Sequence, residues 1–501
     1  MFNNTNKIIS RFILSFSLVW SANVFASPEK VLEPCHVDDL RNKILCGTLK
    51  VPENYQNTDG KKIALNIAVV PAVKKNVTPD PLVFLAGGPG QAATEVIQFA
   101  RVLRKINTTR DLVFIDQRGT GKSAPLLCED EELNAGLFEL NDKLFDVQKI
   151  VETCLESYDN DLSQFNTENA IRDFEEVRKY LGYKKVNIYG GSYGTRAGLV
   201  YMRMFPGSIR SAILDSVAPT QVVIGPFGKF GARAFEMVLA SCEAQPQCAA
   251  AYPNLRKTFL ALVDRLEQQP LEITIRHPST NEPETFLVTD TKLVNTLRGA
   301  LYSTTTHRLV PVIIQELAND NPLPLAGLMA ANSSSFTMYT GLTMNIICSE
   351  DMSRATPALL QQDANNEFIS GKQTQIFVDY CKYWPKYPVA PEFSKPVVSD
   401  IPTFILSGDF DPVTPPEWGE LAKENLKNSR HFIVKNAAHV PLANGCIVGL
   451  VHEFLNSQDL NTIDQSCLDE IIAKPYFVNS NAFGIHSTQD MDTHKEPKTK
   501  D

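Results

Sequence analysis

Four short apolar runs, each closing on a tight turn and separated by stretches of helical spacing, limit most tightly how this chain can fold. They are "PLVFLAGGPG" (81–90), "DLVFIDQRGTG" (111–121), "KVNIYG" (185–190) and "RSAILDSVAP" (210–219). A strand with water on one face alternates apolar and polar residues. An unbroken apolar run is what a parallel strand buried on both faces requires. Between the runs lie "ATEVIQFARVLRKI" (93–106), "TENAIRDFEEVRKYLGY" (167–183) and "YGTRAGLVYMRMFPG" (193–207), each with helical periodicity. The second opens on a threonine cap and stops at Gly182, and the third stops at Pro206. Strand, helix and strand in this order predict a mostly parallel sheet with helices on both faces, an α/β fold.

Residues 47–53 and 62–70 read as an antiparallel pair that opens the sheet. From about 220 to 396 the pattern turns mostly helical. Strands return at "IPTFILSG" (401–408) and "RHFIVKNA" (430–437), followed by a helix at 446–457. The expected organisation is a core in two parts, 27–219 and 397–473, interrupted by a helical lid insertion over 220–396. Residues 474–501 are polar, without periodicity, and read as a tail.

The first 26 residues read as an export signal. Lys7 and Arg11 precede the apolar stretch "FILSFSLVWSANVF", and Ala26 ends a small-residue cleavage site. At about 14 residues the stretch is shorter than the roughly 20 that a spanning helix needs, so no membrane association is expected after cleavage. Export to the periplasm or the exterior changes how the ten cysteines are read: an even number in an oxidising compartment favours disulfides over metal ligation. Pairing neighbours in sequence gives 35–46, 128–154, 242–248, 348–381 and 446–467. The net charge of −9, with no lysine- or arginine-rich block, argues against a nucleic-acid partner. No cofactor or metal is implied, and oligomeric state is left open.

One turn carries chemistry. In "NIYGGSYGTRAG" (187–198), Ser192 stands among Gly190, Gly191 and Gly194, directly after a strand and directly before a helix. This is the pattern of a nucleophile elbow, a turn so tight that its neighbours must be small and one hydroxyl is pushed outward. A serine needs a base to take its proton and an acid to orient that base. On such a sheet the partners follow in the order Ser, Asp, His, each beyond a strand end. "ILSGDFDPVTPPEWG" supplies Asp409 and Asp411, and Asp411 is favoured because it lies deeper in the loop and is held by Pro412. "FIVKNAAHVPLANGC" supplies His439 in the loop after the last strand, whereas the other seven histidines fall elsewhere. The negative oxygen of a tetrahedral intermediate needs backbone N–H donors, one from Tyr193 and one from the glycine-rich "LAGGPGQ" loop.

Together "GGPG", "DQRGTGKS", "GGSYGTR", "GDFDPVTP" and "AAHV" resemble the prolyl aminopeptidase and tripeptidyl aminopeptidase-like serine peptidases of the α/β-hydrolase fold, over roughly residues 45–470. The resemblance implies Ser192 as nucleophile, Asp411 as acid and His439 as base, with Gly88 and Tyr193 as oxyanion donors. It implies Asp116 and Arg118 as buried ions that hold the surrounding loops. In exopeptidases of this family, lid carboxylates bind the free amino group of the substrate. "NIICSEDMSR" offers Glu350 and Asp351 for that role, next to Cys348; a solvated acidic turn is the alternative. Relatives often carry histidine where this chain has Ala86, and glycines around the base where it has "AAHVP". The expected activity is that of an exported serine aminopeptidase acting on peptides with free N-termini through an acyl-enzyme. A carboxylesterase or lipase would use the same triad. A non-enzymatic binding protein on this fold would be expected to have lost one of the three residues.

Overall fold

The computed structural model describes residues 27–37, 40–128, 146–276, 281–333 and 337–483. The expected signal segment, 1–26, and the last part of the expected tail, 484–501, lie outside the described residues.

In chain order the strands are β1 (Glu33–Val37), β2 (Leu40–Pro52), β3 (Lys62–Val70), β4 (Leu82–Leu85), β5 (Leu112–Ile115), β6 (Val186–Gly191) and β7 (Ile209–Asp215), then β8 (Leu271–Arg276), β9 (Pro283–Val288), β10 (Thr403–Gly408), β11 (Ser429–Val434), β12 (Phe477–Asn479) and β13 (Ala482–Phe483). Among the described residues, nine of them form one sheet in the order β1-β2-β3-β5-β4-β6-β7-β10-β11. Pairing is antiparallel from β1 to β3 and between β3 and β5, and parallel from β5 through to β11. β4, β5, β6 and β10 are buried at every position, as their unbroken apolar runs demand.

Alternate residues of these strands feed two separate cores. Val83, Leu85, Val113, Ile115 and Ile188 pack with Ile171, Phe174, Val177 and Leu199, from the helices Thr167–Tyr180 and Tyr193–Met204. Leu82, Phe84, Leu112, Phe114 and Tyr189 face the other way, against Ile97, Ile106, Ile447 and Phe454. The sheet is thus filled from both sides, and its strand ends are where loops can carry function.

Between β7 and β10 the chain is largely helical and has a core of its own around Phe235, Phe259, Leu293, Ile313 and Phe368. The antiparallel hairpin β8–β9 is a departure from the sequence reading. The alternation of "LEITIR" carried the signal: Ile275, Phe286 and Val288 turn into the helical core while Glu272 and Thr274 face outward. β1 was also missed, because "EPCHV" is short and polar. It is held by its ladder to β2 and by the Cys35–Cys46 disulfide. The remaining cysteines pair as 128–154, 242–248, 348–381 and 446–467. The expected tail does not begin at Lys474. Tyr476 is buried, its ring stacked on His307, and β12 and β13 pair beyond it. A single anchoring aromatic leaves no periodicity to read.

Arg118 shows how the loops above β5 are fixed. Its Nε and Nη2 each donate to the Asp173 carboxylate at 2.7 Å, and Nη1 donates to the carbonyls of Glu53 and Gln164. Both side chains are fully buried. Asp116 accepts hydrogen bonds from the Thr94 N–H and hydroxyl and from Asn66 Nδ2, fastening the helical turn after β4 to β3. Removing one partner of a buried ion pair strands the other charge, which costs about 3–5 kcal/mol. Arg118→Ala is therefore expected to lower the unfolding free energy by that amount in urea titration. A loss below about 1 kcal/mol would mean that Asp173 is solvated or neutral without its partner.

Candidate active site

Ser192 occupies the turn between β6 and the helix Tyr193–Met204 at φ 56°, ψ −125°. Few residues other than glycine adopt positive φ, and the conformation persists only where neighbours hold it. Three bonds do so here: the Ser192 N–H donates to the Asp215 carbonyl at 2.9 Å, and its own carbonyl accepts from the N–H and the hydroxyl of Thr195. The tightness of the turn explains the flanking glycines. A Cβ on Gly190 would collide with the Gly194 carbonyl, and one on Gly194 with the Leu85 carbonyl.

Asp411 and His439 meet beyond the ends of β10 and β11. Asp411 Oδ2 lies 2.8 Å from His439 Nδ1, with the carboxylate fully buried and the imidazole one-tenth exposed. The Asp411 carboxylate also accepts from the N–H groups of Val413 and Thr414 and from the Thr414 hydroxyl. Burial alone would push its carboxyl up, but the imidazole and these donors outweigh that and hold it below the usual carboxylate range. Asp409 is turned elsewhere: its Oδ1 accepts the Ala437 N–H, and burial raises its carboxyl. Between the two candidate acids, the contact with the imidazole is made by Asp411.

Two devices fix this pair that the sequence did not disclose. Arg233, in the helix Gly228–Glu243, donates to the carbonyls of Asp409 and Asp411 at 3.0 and 2.9 Å. Tyr302 sets its ring edge-on to His439, with centroids 5.2 Å apart and planes at 82°. Both come from the helical segment, so it contributes directly to the geometry of the acid and the base. The histidine loop is in turn tied to the nucleophile's neighbourhood, because the Val440 N–H donates to Ser216 Oγ, one residue beyond the carbonyl that holds Ser192.

For an oxyanion, Tyr193 offers the N–H of the first helical residue, which has no partner within the helix. In the loop after β4, the Gly87 N–H is given to Gln91 Oε1 at 3.2 Å. Among the described residues no hydrogen bond takes the N–H of Gly88 or of Gly90, so this loop presents two unengaged donors. The loop is clamped by the helical segment: the Tyr339 N–H donates to the Gly90 carbonyl and Thr343 Oγ1 to that of Pro89.

Glu350 and Asp351 both lie inside the protein. Glu350 is buried with both oxygens engaged by Thr167, which donates its N–H at 2.7 Å and its hydroxyl at 2.6 Å. Burial pushes its carboxyl up to about 7 against the opposing effect of those two bonds. Because the Thr167 hydroxyl is spent on Glu350, the Tyr193 hydroxyl donates to Thr167 Oγ1. Glu350 therefore supports Tyr193 from behind. Asp351 is fully buried, accepting from Arg196 Nη1 at 2.6 Å and from the Ile224 N–H. A cleft of about 520 Å³ opens beside Glu350, between Asn54–Gln56 and Tyr387–Ala390, and no member of the Ser192–Asp411–His439 set lines it. Asp351 is thus met by the Arg196 cation, whereas Glu350 is held by neutral donors alone and lines this cleft.

Comparison with known proteins follows the same lines. The profile of the alpha/beta hydrolase fold matches residues 80–276, and that of TAP-like protein matches 366–467. The chain is similar to the serine protease Hip1 of Mycobacterium tuberculosis, with 25% identity over 440 residues, 79% of this chain and 82% of the relative. It is 33% identical over 204 residues to the tripeptidyl aminopeptidase of Streptomyces lividans, 37% of each chain. Among solved structures, the proline iminopeptidase of Mycobacterium smegmatis superposes with a TM-score of 0.42 at 15% identity, covering 83% of this chain and 99% of that one.

Proposed function

Since this chain belongs to the prolyl and tripeptidyl aminopeptidase-like serine peptidases of the α/β-hydrolase fold, we propose that it is an exported aminopeptidase that works through an acyl-enzyme on Ser192. The observation that carries the reading is the 2.8 Å contact of Asp411 with His439 Nδ1, on the same strand ends as the Ser192 elbow. With Nδ1–H held by Asp411, the lone pair of Nε2 is the one available to a serine proton.

The reaction then runs in two halves. Ser192 Oγ attacks the scissile carbonyl as His439 takes its proton, and the oxyanion settles against the N–H groups of Gly88 and Tyr193. His439 passes the proton to the leaving amine, which departs and leaves an ester on Ser192. Water, deprotonated by His439, attacks that ester, and Ser192 Oγ leaves with the proton. The core is assigned to 27–219 and 397–473, with 220–396 as the lid that confines substrate over Ser192. The clamps from Arg233, Tyr302, Tyr339 and Thr343 support that assignment. Likeness to a tripeptidyl aminopeptidase supports substrates with free N-termini. Five disulfides, together with the apolar N-terminal stretch, support export.

A serine-directed fluorophosphonate is expected to label Ser192, and mass spectrometry of a digested peptide mixture to show products shortened from the N-terminus. N-acetylated peptides should be inert. Equal cleavage of blocked and free peptides would exclude an aminopeptidase, and turnover of nitrophenyl esters alone would favour a carboxylesterase. The mature protein is expected to begin at Ser27, which N-terminal sequencing of secreted or periplasmic material checks directly.

A further inference from the structure

We propose that Asp215 is a positioning residue, the splint that sets the histidine loop against the nucleophile elbow. This rests on the reading of Ser192 and His439 as nucleophile and base.

Asp215 ends β7, between the strand that carries Ser192 and the strand that leads to Asp411. It stands in register with Gly191 of β6 and Leu406 of β10. Its carbonyl accepts the Ser192 N–H at 2.9 Å, which holds the elbow. Its carboxylate reaches the other side: Oδ2 accepts the Leu442 N–H at 3.2 Å, three residues past His439, and the Tyr189 hydroxyl at 2.9 Å. The next residue repeats the arrangement, with Ser216 Oγ accepting the Val440 N–H at 2.8 Å. One dipeptide thereby holds the backbone on both sides of the reacting pair. A misplacement of about 1 Å between such groups can cost about a hundredfold in rate.

The carboxyl is also unusual in what it lacks. It is fully buried, and among the described residues Oδ1 has no hydrogen-bond partner. Among the described residues no lysine or arginine forms an ion pair with it. The groups that face it are Tyr189 from β6, His439 from the loop after β11 and Asp411 from the loop after β10. Burial keeps the Tyr189 phenol protonated and hence a donor. Burial likewise pushes the Asp215 carboxyl up to about 7, with its two hydrogen bonds and His439 opposing and Asp411 adding to the rise. The sign follows. Below about 7 the neutral acid predominates and its bond to Leu442 is weaker. Above it the carboxylate grips the loop through charge-assisted bonds and favours the imidazolium that forms in the transition state. Activity is then expected to rise as the Asp215 carboxyl ionises.

Asp215→Asn keeps an oxygen for the Leu442 and Tyr189 donors but cannot titrate, and Asp215→Ala removes the acceptor. The decisive measurement is kcat/KM against pH for wild type and both variants, with kcat and KM separated. The acid limb of the wild-type profile is expected to change in Asp215→Asn, which lacks the titrating carboxyl, while Asp215→Ala loses about a hundredfold in kcat with KM within about twofold. Superimposable profiles for wild type and Asp215→Asn overturn the proposal, as does an Asp215→Ala enzyme with full kcat. Should Asp215→Ala fail to fold, the Asn profile alone decides. Fluorophosphonate labelling of the wild type separates the two levels: without Ser192 labelling the triad reading falls and the splint with it. Labelling with unchanged profiles removes the splint alone.

Discussion

Ser192→Ala is expected to lower kcat/KM by about 10⁴-fold or more, with the fold and its unfolding midpoint unchanged. The loss follows from what the hydroxyl alone can do: without Oγ no acyl-enzyme forms, and the base has no proton to take. The remaining turnover would come only from substrate binding and the oxyanion donors. Stability should hold because the three bonds that fix this residue are made by its backbone, to Asp215 and Thr195, and alanine keeps them. Alanine tolerates the positive φ no worse than serine does. Kinetics on a free peptide amide, with thermal unfolding of the same preparation, reads both halves. Wild-type turnover in the variant would remove Ser192 from the chemistry. Lost activity with a much lower midpoint would make it a structural serine.

How much of this was open to reading depended on how far apart the interacting residues lie in sequence. β4, β5, β6 and β10 were legible because burial on both faces forces uninterrupted apolar runs. The elbow was legible because its close backbone approach excludes any side chain at Gly190 and Gly194. His439 and Asp411 could be singled out because strand ends can be counted along the chain. What could not be seen is set by packing across it. Thr167 engages Glu350 from 183 positions away, and Arg233 reaches the Asp411 carbonyl across 178. Neither contact leaves a local pattern. The acidic pair near Cys348 offered the right residue types for a substrate anchor, and only tertiary structure reveals that Asp351 meets Arg196 while Glu350 is held by Thr167. Asp215 was hidden in the opposite way, inside a strand whose apolar run drew attention to its neighbours.

Asp411→Asn is expected to lower kcat by about 10⁴-fold, and Asp409→Asn by no more than a few-fold. The asymmetry lies in what each carboxylate touches. Asp411 receives Nδ1–H, and two backbone N–H groups and the Thr414 hydroxyl aim the carboxylate at it. An asparagine there would satisfy those backbone donors with its oxygen and turn its NH₂ group toward the ring. That favours the tautomer with hydrogen on Nε2, where no lone pair remains for the serine proton. The negative charge opposite the developing imidazolium is lost as well. At Asp409 the carboxylate accepts backbone N–H groups, that of Ala437 among them, a role that the asparagine carbonyl retains. KM should change little in either variant, since neither side chain is assigned to substrate. The comparison needs only kcat and KM for the two proteins on one peptide substrate. If Asp409→Asn proved the more damaging, the acid would have to be sought at Asp409, with the histidine loop moving during turnover to reach it.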